Sequence, residues 1–89
     1  MPILSNFFGI FIYMYWERQV RHHAPHFHAV YNEFECVFSL PDLSIMSGKL
    51  PARAEKMVTL WAKNHKTELL ENWNRVMENM SLIKIEPLE

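Results

Sequence analysis

The sequence predicts an α+β fold, in which a small antiparallel sheet of three to four strands is followed by two C-terminal helices packed on one face. Two observations support this prediction. The first half of the chain contains short runs of β-branched and aromatic residues separated by polar breaks, as is typical of strands. Over residues 52–80 the apolar residues instead recur at helical spacing. Strands followed by helices, rather than alternating with them, indicate the α+β class.

Four segments of the first half have the composition of strands. They are, in chain order, residues 8–15, 26–31, 34–40 and 43–46. The second and third are separated by Asn32-Glu33 alone, so we expect them to form a two-residue hairpin. The fourth is expected to end at Ser47-Gly48, because glycine interrupts strand patterns.

The helical half is predicted to begin at Pro51. Proline is favoured at the start of a helix, because the backbone N–H that it lacks would have no partner there. Trp61 and Trp73 fall on the apolar stripe and are predicted core residues. Asn64-His65 interrupts that stripe, so two helices with a tight bend are expected rather than one long rod. Residues 81–86 are apolar enough for a last short strand or a docking tail.

Size and composition favour one small domain. The chain has 89 residues, of which 49% are hydrophobic and 13% aromatic. A chain of this length buries roughly 60–65% of the surface that its unfolded form exposes, so large rings are expected to supply much of the core. We interpret residues 1–87 as a single α+β domain and Leu88-Glu89 as the remnant of a cloning site.

Composition also excludes several functional classes. The formal net charge of −1 argues against strong generic nucleic-acid binding, and no DNA partner is expected. The apolar N-terminal run is interrupted and shorter than the ~20 residues of a membrane span, so no membrane association is expected. Cys36 is the single cysteine, which excludes an intramolecular disulfide and suggests a reduced, cytoplasmic core thiol. No glycine-rich phosphate loop exists in a chain with two glycines, and no cofactor is expected.

Four of the five histidines lie in the seven residues from His22 to His28. Histidine is the side chain whose ordinary pKa lies closest to neutrality, so this cluster suggests proton transfer, a metal site or an anion site. If Asn32-Glu33 forms a two-residue turn, Glu35 lies diagonal to His28 across the hairpin, within reach of a long side chain.

Strand alternation divides the side chains of this hairpin between two faces. The predicted core side contains the apolar and aromatic residues Phe27, Ala29, Tyr31, Phe34, Cys36 and Phe38. The other side, called here the histidine face, contains His26, His28, Val30, Glu35, Val37 and Ser39. We therefore expect two imidazoles and one carboxylate together on the side of the sheet away from the main core.

Three interpretations of the histidine face follow from the residues alone. In the first, His26 and His28 are ordinary polar residues on a half-exposed surface. In the second, one imidazole accepts a proton from an RNA 2′-hydroxyl, the other donates a proton to the leaving oxygen, and Glu35 orients or replaces one of them. In the third, the two histidines bind a metal ion together with Glu35 or with His22 and His23.

The interpretation carried forward is the second, without a metal. It takes His26, His28 and Glu35 as catalytic residues. The polar loop before the hairpin adds the candidate substrate-binding residues Arg18, Arg21, His22 and His23, because guanidinium groups and cationic imidazoles bind phosphate.

Several short motifs resemble one bacterial family. Pro25-His26-Phe27-His28 is the most specific, residues 69–74 (LLENWN) are moderately specific, and an aromatic first strand follows Met1-Pro2-Ile3. Together they are similar to the domain of unknown function 4160 family over roughly residues 1–78. Pro25, His26 and His28 match its signature, with Trp73 as a structural match. The chain departs from the family in having alanine before Pro25 and in its tail beyond Asn79.

The resemblance implies a growth-inhibiting toxin of a toxin–antitoxin pair, with an antitoxin of the domain of unknown function 2442 family as its partner. Combined with the histidine face, it leads us to expect a small ribonuclease-like toxin acting on RNA. The alternative is a non-catalytic protein-binding or regulatory module, with or without a bound metal. In that case the histidine face or residues 82–88 would bind the partner.

Overall fold

The computed structural model describes residues 3–15 and 24–89, and within them the chain forms five strands and two helices. The elements are, in chain order, β1 (Ile3–Phe7), β2 (Ile10–Tyr13), β3 (His26–Tyr31), β4 (Phe34–Ser39), β5 (Ile45–Gly48), α1 (Ala52–Asn64) and α2 (Lys66–Met77). The strands form one antiparallel sheet in which each pairs with its neighbour in sequence. The α+β class is confirmed, with one strand more than predicted.

The additional strand comes from the beginning of the chain. One strand was predicted over residues 8–15, but the chain turns at Phe8-Gly9 and β1 and β2 form a hairpin. Phe8 and Gly9 have φ angles of 50° and 79°. Positive φ at both central residues is the signature of the type I′ turn that joins two-residue hairpins. The prediction was wrong because the apolar Phe8 was assigned to a strand, whereas it lies 62% exposed at the tip of this turn.

The second hairpin follows the prediction closely. Asn32 has a φ of 52° and occupies, with Glu33, the two-residue turn between β3 and β4. His28 pairs with Val37, as strand alternation around that turn requires. Asparagine tolerates the left-handed conformation better than other side chains, so it serves here without a glycine.

Strand β5 extends further than predicted. The sequence placed the break at Ser47-Gly48, but both residues belong to the strand and Gly48 pairs with Cys36. A Cβ on Gly48 would lie 2.1 Å from the carbonyl oxygen of Glu35. Glycine therefore allows the close approach of two backbones here instead of ending the strand.

The two helices and the bend between them are confirmed. Helix α1 ends at Asn64 and α2 begins at Lys66, with His65 between them. Trp61 is fully buried, and its ring lies 5.4 Å from that of Phe7 and 6.2 Å from that of Phe27, measured between centroids. These contacts hold α1 against the apolar side of the sheet. No helix in residues 3–15 and 24–89 has the length and apolar character to traverse a bilayer.

After α2 the chain returns along the core without forming another helix or strand. Ile85 is 4% exposed, and its backbone N–H donates to the carbonyl of Leu4 at 2.9 Å. Leu82 and Leu88 are half-buried and pack against the same core. The alternative that residues 81–86 form a docking tail is therefore correct, and the surface they dock on belongs to their own chain.

Cys36 lies in the core, as predicted. It is fully buried, and desolvation raises the pKa of its thiol to about 11, with a smaller contribution from the charge of Glu55. Since the thiolate is the reactive form, we expect alkylation by iodoacetamide at pH 8 to proceed only after unfolding. The measurement is the rate of mass increase in native buffer and in denaturant. Rapid modification of the folded protein would contradict the burial of Cys36.

Candidate functional site

The histidine face forms, but it is less open than the sequence suggested. The rings of His26 and His28 lie 5.3 Å apart, measured between centroids, in an edge-to-face arrangement. Each residue is only 8% exposed, which contradicts the first interpretation, that of ordinary polar residues on a half-exposed surface. Two aromatic side chains explain the difference, because Tyr15 lies on the ring of His28 and Trp73 lies against the ring of His26.

His26 stands at the first position of β3, where the preceding backbone orients its ring. Its Nδ1 lies 2.8 Å from the carbonyl oxygen of Ala24. A carbonyl can only accept a hydrogen bond, so Nδ1 must carry the proton. In the neutral imidazole the lone pair then belongs to Nε2, which is the nitrogen that remains for accepting a proton. The Trp73 ring, 5.0 Å away between centroids, adds packing from helix α2.

His28 is placed beside a carboxylate by the register of the β3–β4 hairpin. Its Nδ1 lies 3.4 Å from Oε2 of Glu35, whose side chain is 58% exposed. The two-residue turn predicted only that Glu35 would lie within reach of His28, and the structure shows the distance between them. Glu35 therefore places a carboxylate beside the ring of His28. The Tyr15 ring stacks on His28 at 4.4 Å between centroids and 13° between planes.

The two imidazoles lie side by side but are held differently. The Nδ1 of His26 donates a hydrogen bond to Ala24 O, whereas the Nδ1 of His28 lies at an ion-pair distance from the Glu35 carboxylate, without the geometry of a hydrogen bond. The bond to Ala24 sets the tautomer of His26 and leaves its Nε2 for chemistry. Such a pair can exchange protons with a bound molecule, one ring as base and the other as acid.

The predicted substrate-binding residues cannot be placed on this surface. Arg18, Arg21, His22 and His23 all lie outside the described residues. The metal interpretation is tested only in part. Across 3–15 and 24–89, no group of three or more histidine, cysteine, aspartate and glutamate side chains is arranged to hold a metal ion.

Tyr15 was missed by sequence reasoning as a member of the site. Its neighbour Tyr13 pairs with His28 across β2 and β3, which brings this end of β2 to the histidine face. A short turn fixes the register between β3 and β4, but a long segment of chain joins β2 to β3. No feature of the sequence therefore predicts that Tyr15 lies against His28. The available signal is the spacing of Tyr13 and Tyr15, because residues two positions apart in an extended segment lie on the same side.

A comparison with models of protein families shows to which family the chain belongs. The model described as a domain of unknown function, DUF4160, matches residues 9–74. The chain belongs to the DUF4160 family. The DUF4160 match covers the histidine hairpin and α2 as far as Asn74, whereas β1 and the docking tail lie outside it. No curated protein and no solved structure matches the chain.

Proposed function

We propose that this DUF4160 protein is a growth-inhibiting toxin that cleaves RNA without a metal, with His26 and His28 transferring the protons. The observation that supports the proposal is the adjacency of two imidazoles, one with its Nδ1 hydrogen-bonded to Ala24 O and the other with its Nδ1 3.4 Å from Oε2 of Glu35. The toxin role, and an antitoxin of the DUF2442 family as partner, come from the sequence resemblance to the family.

The proposed roles of the two histidines differ because their neighbours differ. His26 donates from Nδ1 to a neutral carbonyl and so offers a lone pair at Nε2, which suits a general base. His28 has the carboxylate of Glu35 beside it, and we assign it the role of general acid.

The reaction that these roles support is an internal transesterification of RNA. His26 takes the proton of a ribose 2′-hydroxyl, and the oxygen attacks the adjacent phosphorus. The bond from phosphorus to the 5′-oxygen breaks, and that oxygen receives a proton from His28. The products are a 2′,3′-cyclic phosphate and a 5′-hydroxyl end, so no metal, oxidant or added nucleophile is required.

Proton transfer by His28 requires its ring to become accessible. Each ring nitrogen of His28 has less than 1 Å² of solvent-exposed surface. Tyr15 lies directly on this ring, so a substrate must displace Tyr15 before His28 can transfer a proton.

The first experiment is induced expression in a bacterial host of the wild type and of a His26→Ala/His28→Ala variant. Loss of an acid–base pair is expected to slow RNA cleavage by about 10²–10⁴-fold, so only the wild type should arrest growth. The cleaved RNA should carry 2′,3′-cyclic phosphate ends. His65→Ala is the matched control, because the fifth histidine lies between the helices and pairs with Glu68.

Two outcomes would contradict the proposal, provided that circular dichroism shows all variants folded. Equal arrest by the wild type and the double variant would remove the histidines from the mechanism. Absence of arrest by the wild type would remove the toxin role.

A single substitution tests the role of Glu35. Glu35→Gln keeps the size of the side chain and removes the negative charge that lies beside His28. We expect a loss of about 5–50-fold in cleavage rate, smaller than for His28→Ala, because the imidazole itself remains. The matched control is Glu33→Gln, in the exposed turn of the same hairpin. A rate equal to that of the wild type would exclude Glu35 from the mechanism.

A non-catalytic binding module is the second candidate, and the burial of His28 favours it. An imidazole covered by Tyr15 and held beside Glu35 can serve to shape a protein-binding surface. Titration distinguishes the two candidates, since an enzyme acts at substoichiometric ratios to its target and a binding module saturates at a fixed ratio.

A further inference from the structure

A cavity of about 330 Å³, which we call the turn cavity, lies at the end of β3 that is remote from His26. The residues that line it come from the β1–β2 turn, the end of β3 and the beginning of α1: Phe8, Tyr31, Pro51, Arg53, Ala54 and Met57. Its volume is at the lower end of the range of roughly 300–1,000 Å³ for small-molecule sites, which typically combine apolar walls with a few polar groups. None of the lining residues belongs to the histidine face.

Phe8 is an unusual residue for its position in the β1–β2 turn. Its φ is 50°, a conformation that bulky side chains rarely adopt, and it is 62% exposed. The turn between β3 and β4 has Asn32 with a similar φ of 52°, which is the ordinary choice. Neither the turn nor the core therefore requires a phenylalanine at position 8. Its ring instead lines the turn cavity, where an accessible aromatic surface allows a planar ligand to stack.

Tyr31 provides a second aromatic side chain, and the sheet fixes its position. It is the last residue of β3 and pairs with Ile10, which follows the β1–β2 turn directly. A Cβ built on Gly9 would lie 3.4 Å from Cε1 of Tyr31, so the ring packs beside the backbone of this turn. Met57 of α1 is half-buried and adds a polarisable thioether to the lining. The apolar walls of the turn cavity are thus set by strand register and helix packing.

Arg53 supplies the charge of the turn cavity. It is exposed in the first turn of α1, and none of the other lining residues is charged. Within residues 3–15 and 24–89 its guanidinium forms no ion pair with a carboxylate. A guanidinium presents planar, paired donors that match the geometry of phosphate. A cation beside aromatic walls suits a planar ring that carries an anionic group.

We propose that the turn cavity binds a nucleotide, with the base stacked on Phe8 and Tyr31 and the phosphate bound by Arg53. Every nucleobase has a π-face, so stacking on aromatic side chains accepts all four bases. The choice of a nucleotide among aromatic anions rests on the proposed action on RNA, whereas the cavity and its lining are independent of that function. The nucleotide is supplied either as a free monophosphate or as one unit of an RNA strand.

The test titrates the isotope-labelled full chain with each of the four common ribonucleoside monophosphates and follows the backbone amides by NMR. Concentrations up to about 10 mM detect dissociation constants in the millimolar range. Amide shifts are expected around Phe8, Tyr31 and Arg53. Two probes separate the contributions of the ligand, because adenosine lacks the phosphate and ribose 5-phosphate lacks the base. Ribose 5-phosphate should bind at least about fivefold more weakly than adenosine monophosphate.

Two substitutions test the named side chains. Phe8→Asn removes the ring and gives the turn a residue that favours positive φ, so stability should be kept while nucleotide affinity falls by about 5–100-fold. Arg53→Gln should lower affinity for adenosine monophosphate by about 3–10-fold, since an exposed charge is partly screened, and should leave affinity for adenosine unchanged. The matched controls are Phe11→Val, an exposed ring outside the cavity, and Lys63→Gln, an exposed cation at the other end of α1. Neither control should change affinity.

Two further measurements separate nucleotide binding from RNA cleavage and identify the source of the nucleotide. The His26→Ala/His28→Ala variant should bind the monophosphates as the wild type does, so that either proposal can fail without the other. This variant is also titrated with a short single-stranded RNA. Tighter binding of the RNA than of the monophosphates, with shifts at the same amides, makes an RNA strand the source, and equal or weaker binding makes it the free nucleotide.

Three results would overturn the proposal. One is the absence of shifts at the turn cavity with all four monophosphates. Another is an affinity that Phe8→Asn leaves unchanged in a folded protein, since the base would then not stack on Phe8. The third is binding of ribose 5-phosphate as tight as that of adenosine monophosphate, because the site would then recognise an anion without its base.

Discussion

Replacing Trp61 by alanine is expected to lower the free energy of unfolding by about 3–5 kcal/mol, the range for removing a large aromatic side chain from a core. Trp61 is fully buried and contacts Phe7 and Phe27 of the sheet. Its indole N–H also holds the carbonyl of Glu86. Truncation therefore removes the attachment of α1 to the sheet and one attachment of the tail.

Denaturant unfolding followed by circular dichroism measures this effect. A small domain has a total stability of about 5–15 kcal/mol, so the Trp61→Ala protein is expected to be partly unfolded at 37 °C. Trp61→Phe keeps most of the ring packing and should cost less. Leu60→Ala is the control on the same helix, because Leu60 is 53% exposed and its truncation should change stability by about 0.5 kcal/mol or less. An unfolding midpoint of Trp61→Ala equal to that of the wild type would contradict the described packing of α1.

Gly48→Ala has the second largest expected effect, a loss of at least about 2 kcal/mol from strain and displacement of backbone. Gly48 has a φ of 76°, which an alanine adopts at a cost. The added methyl group would also lie 2.1 Å from the carbonyl oxygen of Glu35, far inside van der Waals contact. Because that atom belongs to the backbone, β4 and β5 must separate to relieve the overlap.

The second glycine of the chain is the control for this substitution. Gly9 has a similar φ of 79°, but its nearest neighbour, a side-chain atom of Tyr31, would lie 3.4 Å from an added Cβ. Gly9→Ala is therefore expected to lower the free energy of unfolding by about 1 kcal/mol, from the positive φ alone. Gly48→Ala should lower it by more, because its methyl group also overlaps the backbone. Hydrogen exchange of the Lys49 amide, which donates to the Glu35 carbonyl, should accelerate in Gly48→Ala only. Equal losses of stability at the two sites would show that the strands accommodate the methyl group.

Gly48 also affects the position of Glu35 in the candidate site. Its contact with the backbone of Glu35 keeps β5 against the strand that carries the carboxylate facing His28. A protein weakened at Gly48 can thus lose function through displacement of Glu35, so activity of this variant should be compared with that of Glu35→Gln before a role is assigned.

The tail changes how the alternative function is to be understood. Residues 82–88 were expected to be available for a protein partner if the chain is a binding module. They instead pack on their own core through Ile85, with Asn72 and Trp61 holding the backbone. A partner that uses this region has to displace the tail.

The sequence by itself determined the features that depend on local spacing. The two-residue turn at Asn32-Glu33 predicted the register of β3 and β4 and hence that Glu35 lies within reach of His28, whereas the 3.4 Å distance between them is seen only in the structure. Helical periodicity, interrupted at Asn64-His65, located both helices, because such patterns are properties of neighbouring residues.

The tertiary structure alone decided what depends on residues far apart in the chain. The burial of His26 comes from Trp73 on α2 and that of His28 from Tyr15 beyond a long connection. The strand role of Gly48 depends on its approach to the backbone of Glu35. Such contacts form only when the whole core assembles, because no local pattern encodes which distant surfaces will meet.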